Sequence, residues 1–135
     1  MTVFLTKEQV LAIHQDQIAR SGGLDGLSDE ELLESALAAP QAGYGLVRYF
    51  PDERQMAGVL TYALIKNHPF LDANKRTAAV SGRVFLRMNN WNFEPSPTEF
   101  YNMVIGLADG SKSREEFIEF VIDNTFPVTV FRDST

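Results

Sequence analysis

Four short patterns, each a hydroxyl residue followed three positions later by glutamate or glutamine, do most to limit what this chain can fold into. They are Thr6-x-x-Gln9, Ser28-x-x-Glu31, Ser96-Pro97-x-Glu99 and Ser113-x-x-Glu116. In each pair the two side chains can satisfy backbone N–H groups left free at a helix start, so the pattern marks helix N-termini. The third also places proline at the first helical position, where its missing N–H costs nothing. Between these starts the chain reads as helices separated by short punctuators, with no repeat and no low-complexity segment.

Apolar spacing fills in the elements. A first helix is expected from about Lys7 to Arg20, with Val10, Ile13, Gln17 and Ile18 near one face, ending at Gly22-Gly23. A second runs from Asp29 to Ala39, apolar at Leu32, Leu33, Ala36 and Leu37, and stops before Pro40. A third, from about Glu53 to Asn67, carries Met56, Val59, Leu60, Ala63 and Leu64 at helical spacing. It should end at or before His68, because the residue preceding a proline avoids the α region. A fourth runs from roughly Asn74 to Met88, and its small residues from Thr77 to Gly82 suit a central, closely packed helix. Two more follow near Pro97 to Ala108 and Arg114 to Asn124. The expectation is an all-α, compact six-helix bundle. At 135 residues the chain suits one domain and is too short for two.

Two segments resist a helical reading. Residues Gln41 to Pro51 mix aromatic and β-branched residues with glycines, which fits a short hairpin or an irregular loop plugging the core with Tyr49 and Phe50. Local pattern does not separate the two. The tail from Phe126 to Thr135 contains Val128-Thr129-Val130-Phe131, extended by propensity, expected to dock on the body or on a neighbour and to fray at its polar end.

Composition excludes several function classes. No apolar run approaches the roughly 20 residues that span a bilayer. The N-terminus lacks the basic-then-apolar order of a signal peptide. Cysteine is absent, which removes disulfides, thiolate catalysis and cysteine metal sites together and fits a cytoplasmic location. A net charge of −6 argues against direct nucleic-acid binding, which needs a basic face. Locally the balance reverses. Between Lys66 and Arg87 the cations are Lys66, Lys75, Arg76, Arg83 and Arg87, and Asp72 is the only acid. Such a compact basic spot suits a small polyanion such as a nucleotide, while Arg83 and Arg87 taken alone read as a solvated helix face.

The chemistry concentrates in His68-Pro69-Phe70-Leu71-Asp72-Ala73-Asn74-Lys75-Arg76. A loop entering a helix at Asn74 aims several unpaired N–H groups at one point, where the helix dipole also favours negative charge. Lys75 and Arg76 in the first turn conflict with that dipole, and a bound phosphate would resolve the conflict. Asp72 reads either as a cap bonding the N–H of Asn74 or Lys75, or as a Mg²⁺ ligand. His68 could take a proton from an attacking Ser or Thr hydroxyl. Phe70 would anchor the loop to the core, and Asn74 would hold loop backbone or cap its helix. His14 falls mid-helix beside the apolar stripe, and a structural role is expected for it.

The run resembles the signature of the Fic/Doc family, of general form His-Pro-Phe-x-Asp/Glu-Gly-Asn-Gly-Lys/Arg-x-x-Arg, and its Ala-Asn-Lys-Arg version resembles the Doc branch. The segment from Gly22-Gly23 through Gly26, Asp29 and Leu32-Leu33-Glu34-Ser35-Ala36-Leu37 to Pro40-Gln41 is similar to the N-terminal part of Doc-type proteins. The resemblance covers essentially one whole small domain. It implies a flap between the second and third helices that aligns a target segment, which tips Gln41 to Pro51 toward a hairpin. It makes His68 the general base, Asp72 the Mg²⁺ ligand, Asn74 an organiser of the loop and Arg76 a phosphate-binding cation. Lys75 joins them at the nucleotide, and Lys66 is a further candidate phosphate cation.

Most Fic proteins transfer AMP from ATP. Here Lys75 stands where the second glycine would be, and Ala79 where the final arginine would be. Ala73 replaces the first glycine, a change tolerable only if that residue avoids positive φ. These departures match the Doc branch, whose resemblance implies a toxin kinase moving the γ-phosphate of ATP to a threonine of elongation factor Tu, arresting translation. The alternatives are AMP transfer on the same fold, or a catalytically idle protein that binds an antitoxin and regulates their operon. Self-restrained Fic proteins carry Ser/Thr-x-x-x-Glu-Gly/Asn. The nearest match, Ser111 to Glu116, ends in glutamate, so an antitoxin acting in trans is implied.

Overall fold

The computed structural model describes residues 1–129. Six helices and two small antiparallel pairs make up the body: α1 (Lys7–Ser21), α2 (Glu30–Ala38), a 3₁₀ turn (Ala39–Gln41), β1 (Gly43–Tyr44), β2 (Val47–Arg48), α3 (Glu53–Asn67), α4 (Asn74–Met88), β3 (Trp91–Phe93), α5 (Pro97–Asp109), α6 (Arg114–Asp123) and β4 (Thr125–Pro127). None of the described helices is long and apolar enough to cross a membrane.

Helix starts follow the capping chemistry with one shift. Thr6 with Gln9 and Ser113 with Glu116 form reciprocal boxes, and Ser96 accepts from the Glu99 N–H ahead of Pro97. Ser28 caps nothing. Its backbone N–H donates to the Pro69 carbonyl, and Asp29, one residue later, accepts from the Leu32 N–H at 3.0 Å. The helix therefore begins at Glu30 rather than Asp29. A fifth start, Asp52 with Gln55 before α3, is a reciprocal box with a carboxylate in the hydroxyl's place.

The core sits around α3, which packs on α4, α6, α2 and α5. It buries Met56, Ala57, Val59, Leu60, Leu64 and Ile65 against Leu33, Phe85, Leu86, Leu107 and Phe117. Each such aliphatic or aromatic side chain contributes about 1.5–3 kcal/mol on burial. The expectation of a closely packed fourth helix holds at Gly82, where a Cβ would come within 2.2 Å of the Thr61 hydroxyl on α3.

The segment after Pro40 is a hairpin, pairing Gly43 with Arg48 and Tyr44 with Val47. Tyr44, Leu46, Val47 and Tyr49 are exposed, so Tyr49 does not plug the core, whereas Phe50 does pack on it. The second pair, β3 with β4, joins Phe93 to Thr125 and Trp91 to Pro127. Extended structure was expected a few residues later, at Val128 to Phe131. Instead Thr125 is buried and its hydroxyl donates to the Val121 carbonyl, which turns the chain into the ribbon immediately after α6. Val130 and Phe131 lie outside the described residues.

Candidate active site

The loop between α3 and α4 is fixed from three sides. Helix α3 ends at Asn67, and His68 follows in the left-handed region (φ 51°), its N–H donating to the Leu64 carbonyl. Pro69 cannot continue the helix, and its carbonyl accepts from Ser28 and Asp29 N–H at 2.7 and 3.0 Å. Leu71 N–H donates to the Gly26 carbonyl at 3.0 Å. From the α4 side, the Asn74 amide grips Phe70 twice, accepting from its N–H at 3.0 Å and donating to its carbonyl at 2.9 Å. Phe70 itself is fully buried. Asn74 is thus the loop organiser, and Phe70 the anchor.

Asp72 does not cap α4. Its Oδ1 accepts from the Ala73 N–H at 2.8 Å and its Oδ2 from the Leu24 N–H at 3.2 Å. Those two bonds, Ala73 first, hold its carboxyl below the ordinary carboxylate range, with the positive charge of Arg76 adding to them. Leu24 reaches it because Gly23 passes so close that a Cβ there would lie 2.7 Å from Asp72 Oδ2, at a φ of +122°.

Because Asp72 bonds Ala73 and Leu24 rather than the first-turn N–H groups, the start of α4 is open. Ala73 stands at the N-cap position without a side-chain cap, and the first helical bond is Thr77 N–H to the Ala73 carbonyl. The N–H groups of Asn74, Lys75 and Arg76 precede it and have no protein partner among the described residues. The condition set for alanine here, that residue 73 avoid positive φ, is not met. Ala73 sits at φ 63°, ψ 28°, a conformation that costs a residue with a Cβ roughly 1–2 kcal/mol.

The cations divide. Lys75 is exposed at the first turn. The Arg76 guanidinium donates to the Gln17 and Gly22 carbonyls at 3.0 and 2.9 Å, tying α4 to the end of α1. Those bonds use two of the five guanidinium N–H donors, and the Arg76 backbone N–H lies in the open turn. Lys66 is exposed and lies over the Tyr62 ring, with the Asp109 carboxylate feeling its charge. Among the described residues no contact joins it to the open turn of α4. Beside Lys75 a cavity of about 330 Å³ runs along Ala79 and Arg83 to Phe100 and Tyr101 on α5.

His14 is where residue-type reasoning fell short. It is structural, as expected, but what it holds is the site: its Nε2 lies 2.9 Å from the Asp72 carbonyl oxygen. A histidine at a buried helical position was the only signal, and spacing along the chain gives no hint of that partner.

The residues fit a Mg²⁺ ion of the kind that accompanies nucleotides. No cluster of three or more acidic or histidine groups able to cage a metal occurs among the described residues. One ionised, half-exposed carboxylate beside free N–H groups is the arrangement such an ion takes when phosphates and water complete its shell.

Residues 4–86 match the Fic/DOC family. The chain is 34% identical over 109 residues to the protein named "Protein kinase doc" of Escherichia phage P1, covering 81% of this chain and 85% of that one. It is 38% identical over 89 residues to "Toxin Doc" of Mycolicibacterium smegmatis, covering 66% of each. With six helices, a flap hairpin and the motif loop opening α4, this chain belongs to the Fic/Doc family.

Proposed function

We propose that this chain is the toxin of a toxin–antitoxin pair and acts as a protein kinase, moving the γ-phosphate of ATP to a Ser or Thr hydroxyl of elongation factor Tu. The observation that carries the reading is the uncapped start of α4, with three consecutive N–H groups that have no protein partner among the described residues, a cation at Lys75, and His68 and Asp72 in the loop that leads into it. Helix N-termini of this kind bind phosphate. The similarity to a protein named a kinase, extending over most of both chains, supports γ-phosphate rather than AMP transfer.

In the proposed reaction the target hydroxyl oxygen bonds to the γ-phosphorus as the bond from that phosphorus to the β-bridging oxygen breaks. His68, exposed at the end of α3, takes the hydroxyl proton, and ADP leaves. Asp72 would hold Mg²⁺, which supplies charge neutralisation to the phosphates when bound. The N–H groups of the first turn and Lys75 orient the triphosphate, and such positioning with charge neutralisation is most of what phosphoryl transfer needs. The exposed β1–β2 hairpin, with Tyr44, Leu46 and Val47 outward, would align the target segment.

An antitoxin in trans completes the reading. The segment nearest to a built-in restraint is committed elsewhere: Glu116 closes the cap of α6 with Ser113, and Glu115 pairs with Arg114. The test is intact-mass spectrometry of elongation factor Tu after incubation with this protein, ATP and Mg²⁺. Gain of one phosphate supports the reading. Gain of a nucleotidyl group replaces it with AMP transfer, and an unchanged mass removes this target.

A further inference from the structure

The Asp72 carbonyl is held by a side chain that the proposed chemistry does not use. His14, midway along α1, is 2% exposed and lies flat on the Phe70 ring, with centroids 3.9 Å apart and planes 7° from parallel. Its Nε2 stands 2.9 Å from the Asp72 carbonyl oxygen. A carbonyl only accepts, so Nε2 carries the hydrogen. Its Nδ1 turns toward Asp25, whose Oδ1 at 3.7 Å is beyond direct bonding distance. Pro69 and Leu71 are held through their backbones, and Phe70 by the first residue of α4. Among the described residues, His14 is the one side chain outside the loop and α4 that fixes a loop peptide.

The peptide it fixes is Asp72–Ala73, next to the strained φ of 63°. A half-turn of that peptide plane would carry the φ of Ala73 to about −120°, out of the left-handed region that costs a residue with a Cβ. The C=O and N–H of a trans peptide point in opposite directions. The same half-turn would therefore bring the carbonyl oxygen to where the Ala73 N–H now donates to Asp72 Oδ1 at 2.8 Å, setting oxygen against carboxylate. Relief of strain favours that turn, and the His14 hydrogen bond opposes it.

We propose that His14 is a positioning residue: it latches the Asp72–Ala73 peptide so that the Ala73 N–H, and through it the Asp72 carboxylate, stay set for the metal of a bound Mg·ATP. The metal part rests on the proposed role of Asp72. The latch itself concerns only this chain's own groups, and it explains how an alanine is kept where glycine would be at ease.

Three changes separate a latch from simple packing. H14F keeps a ring on Phe70 and loses the donor, and His14→Leu loses the donor with a smaller aliphatic side chain should phenylalanine not fit. H14Q keeps a donor. A73G removes the strain that drives the turn. Two quantities are read on the full chain: Mg·ATP affinity by calorimetry, and the φ of residue 73 from its amide-to-Hα scalar coupling. Loss of the donor should weaken Mg·ATP binding about 10–100-fold, the usual effect of removing a partner behind a metal ligand. It should also move the coupling to that of a negative φ. H14Q should stay near the unmutated protein, and A73G should restore much of the binding that H14F loses. An H14F protein with a lower melting temperature but unchanged coupling and affinity would overturn the latch, as would a double variant that binds no better than H14F. If the unmutated protein binds no Mg·ATP, the nucleotide reading fails, and the coupling in H14F still decides the latch.

Discussion

At His68 the side chain is exposed at the end of α3, so its loss should leave the fold intact. His68→Ala should lower phosphate transfer by roughly 10²–10⁴-fold, the usual contribution of a general base, with the melting temperature little changed. Activity equal to the unmutated protein in a transfer assay would take His68 out of the chemistry. Asp72 makes a prediction that needs no substrate. The Ala73 and Leu24 N–H bonds hold its carboxyl below the ordinary range. A group whose native pKa is depressed stabilises the fold above its unfolded value and loses that contribution as pH falls through the native one. Asp72→Asn should therefore melt lower at neutral pH, since an amide oxygen can accept while its NH₂ opposes the second N–H. The gap should narrow as pH drops below about 4 and close under more acid conditions. Thermal melts across that range check it, and a gap independent of pH would show that the carboxylate's charge is not what those bonds hold.

Among the elements, α3 and α4 meet more closely than ordinary side chains allow. A methyl group at Gly82 would come within 2.2 Å of the Thr61 hydroxyl, which itself donates to the Ala57 carbonyl at 2.9 Å. Gly82→Ala should cost about 1–3 kcal/mol, the range for overpacking, measured as a lower denaturant midpoint at unchanged slope. Because α4 carries the motif at its first turn, a shift there should also weaken Mg·ATP binding. This close packing was readable in the sequence as a run of small residues, as were the limits of α4, since Asn74 and Met88 bound one periodic stretch. The cap of α2 was not. Ser28 and Asp29 are equally good caps by residue type, and a hydrogen bond to Pro69, distant in sequence, decides between them. The β3–β4 ribbon escaped for a similar reason: each strand has three residues, and neither alternates over enough length to declare itself.

For the molecule as a whole, the motif was readable because nine consecutive residues hold it, and the loop geometry follows from Pro69 and Asn74. What could not be read was the support behind it. His14 and Asp72 are 58 positions apart, and the Gly22–Asp29 segment that walls the loop is joined to it mainly through backbone bonds, which leave little trace in residue type. The strain at Ala73 was likewise invisible until the backbone was seen. The proposed kinase reading turns at this scale on Lys75, exposed in the first turn of α4 where the family signature carries glycine. The most direct test supplies elongation factor Tu with ATP labelled at either the γ- or the α-phosphate, using the unmutated protein and Lys75→Gly. The account predicts that the unmutated protein passes on γ label alone and that Lys75→Gly transfers less of it. Incorporation of α label by the unmutated protein would contradict the kinase reading and establish AMP transfer in its place.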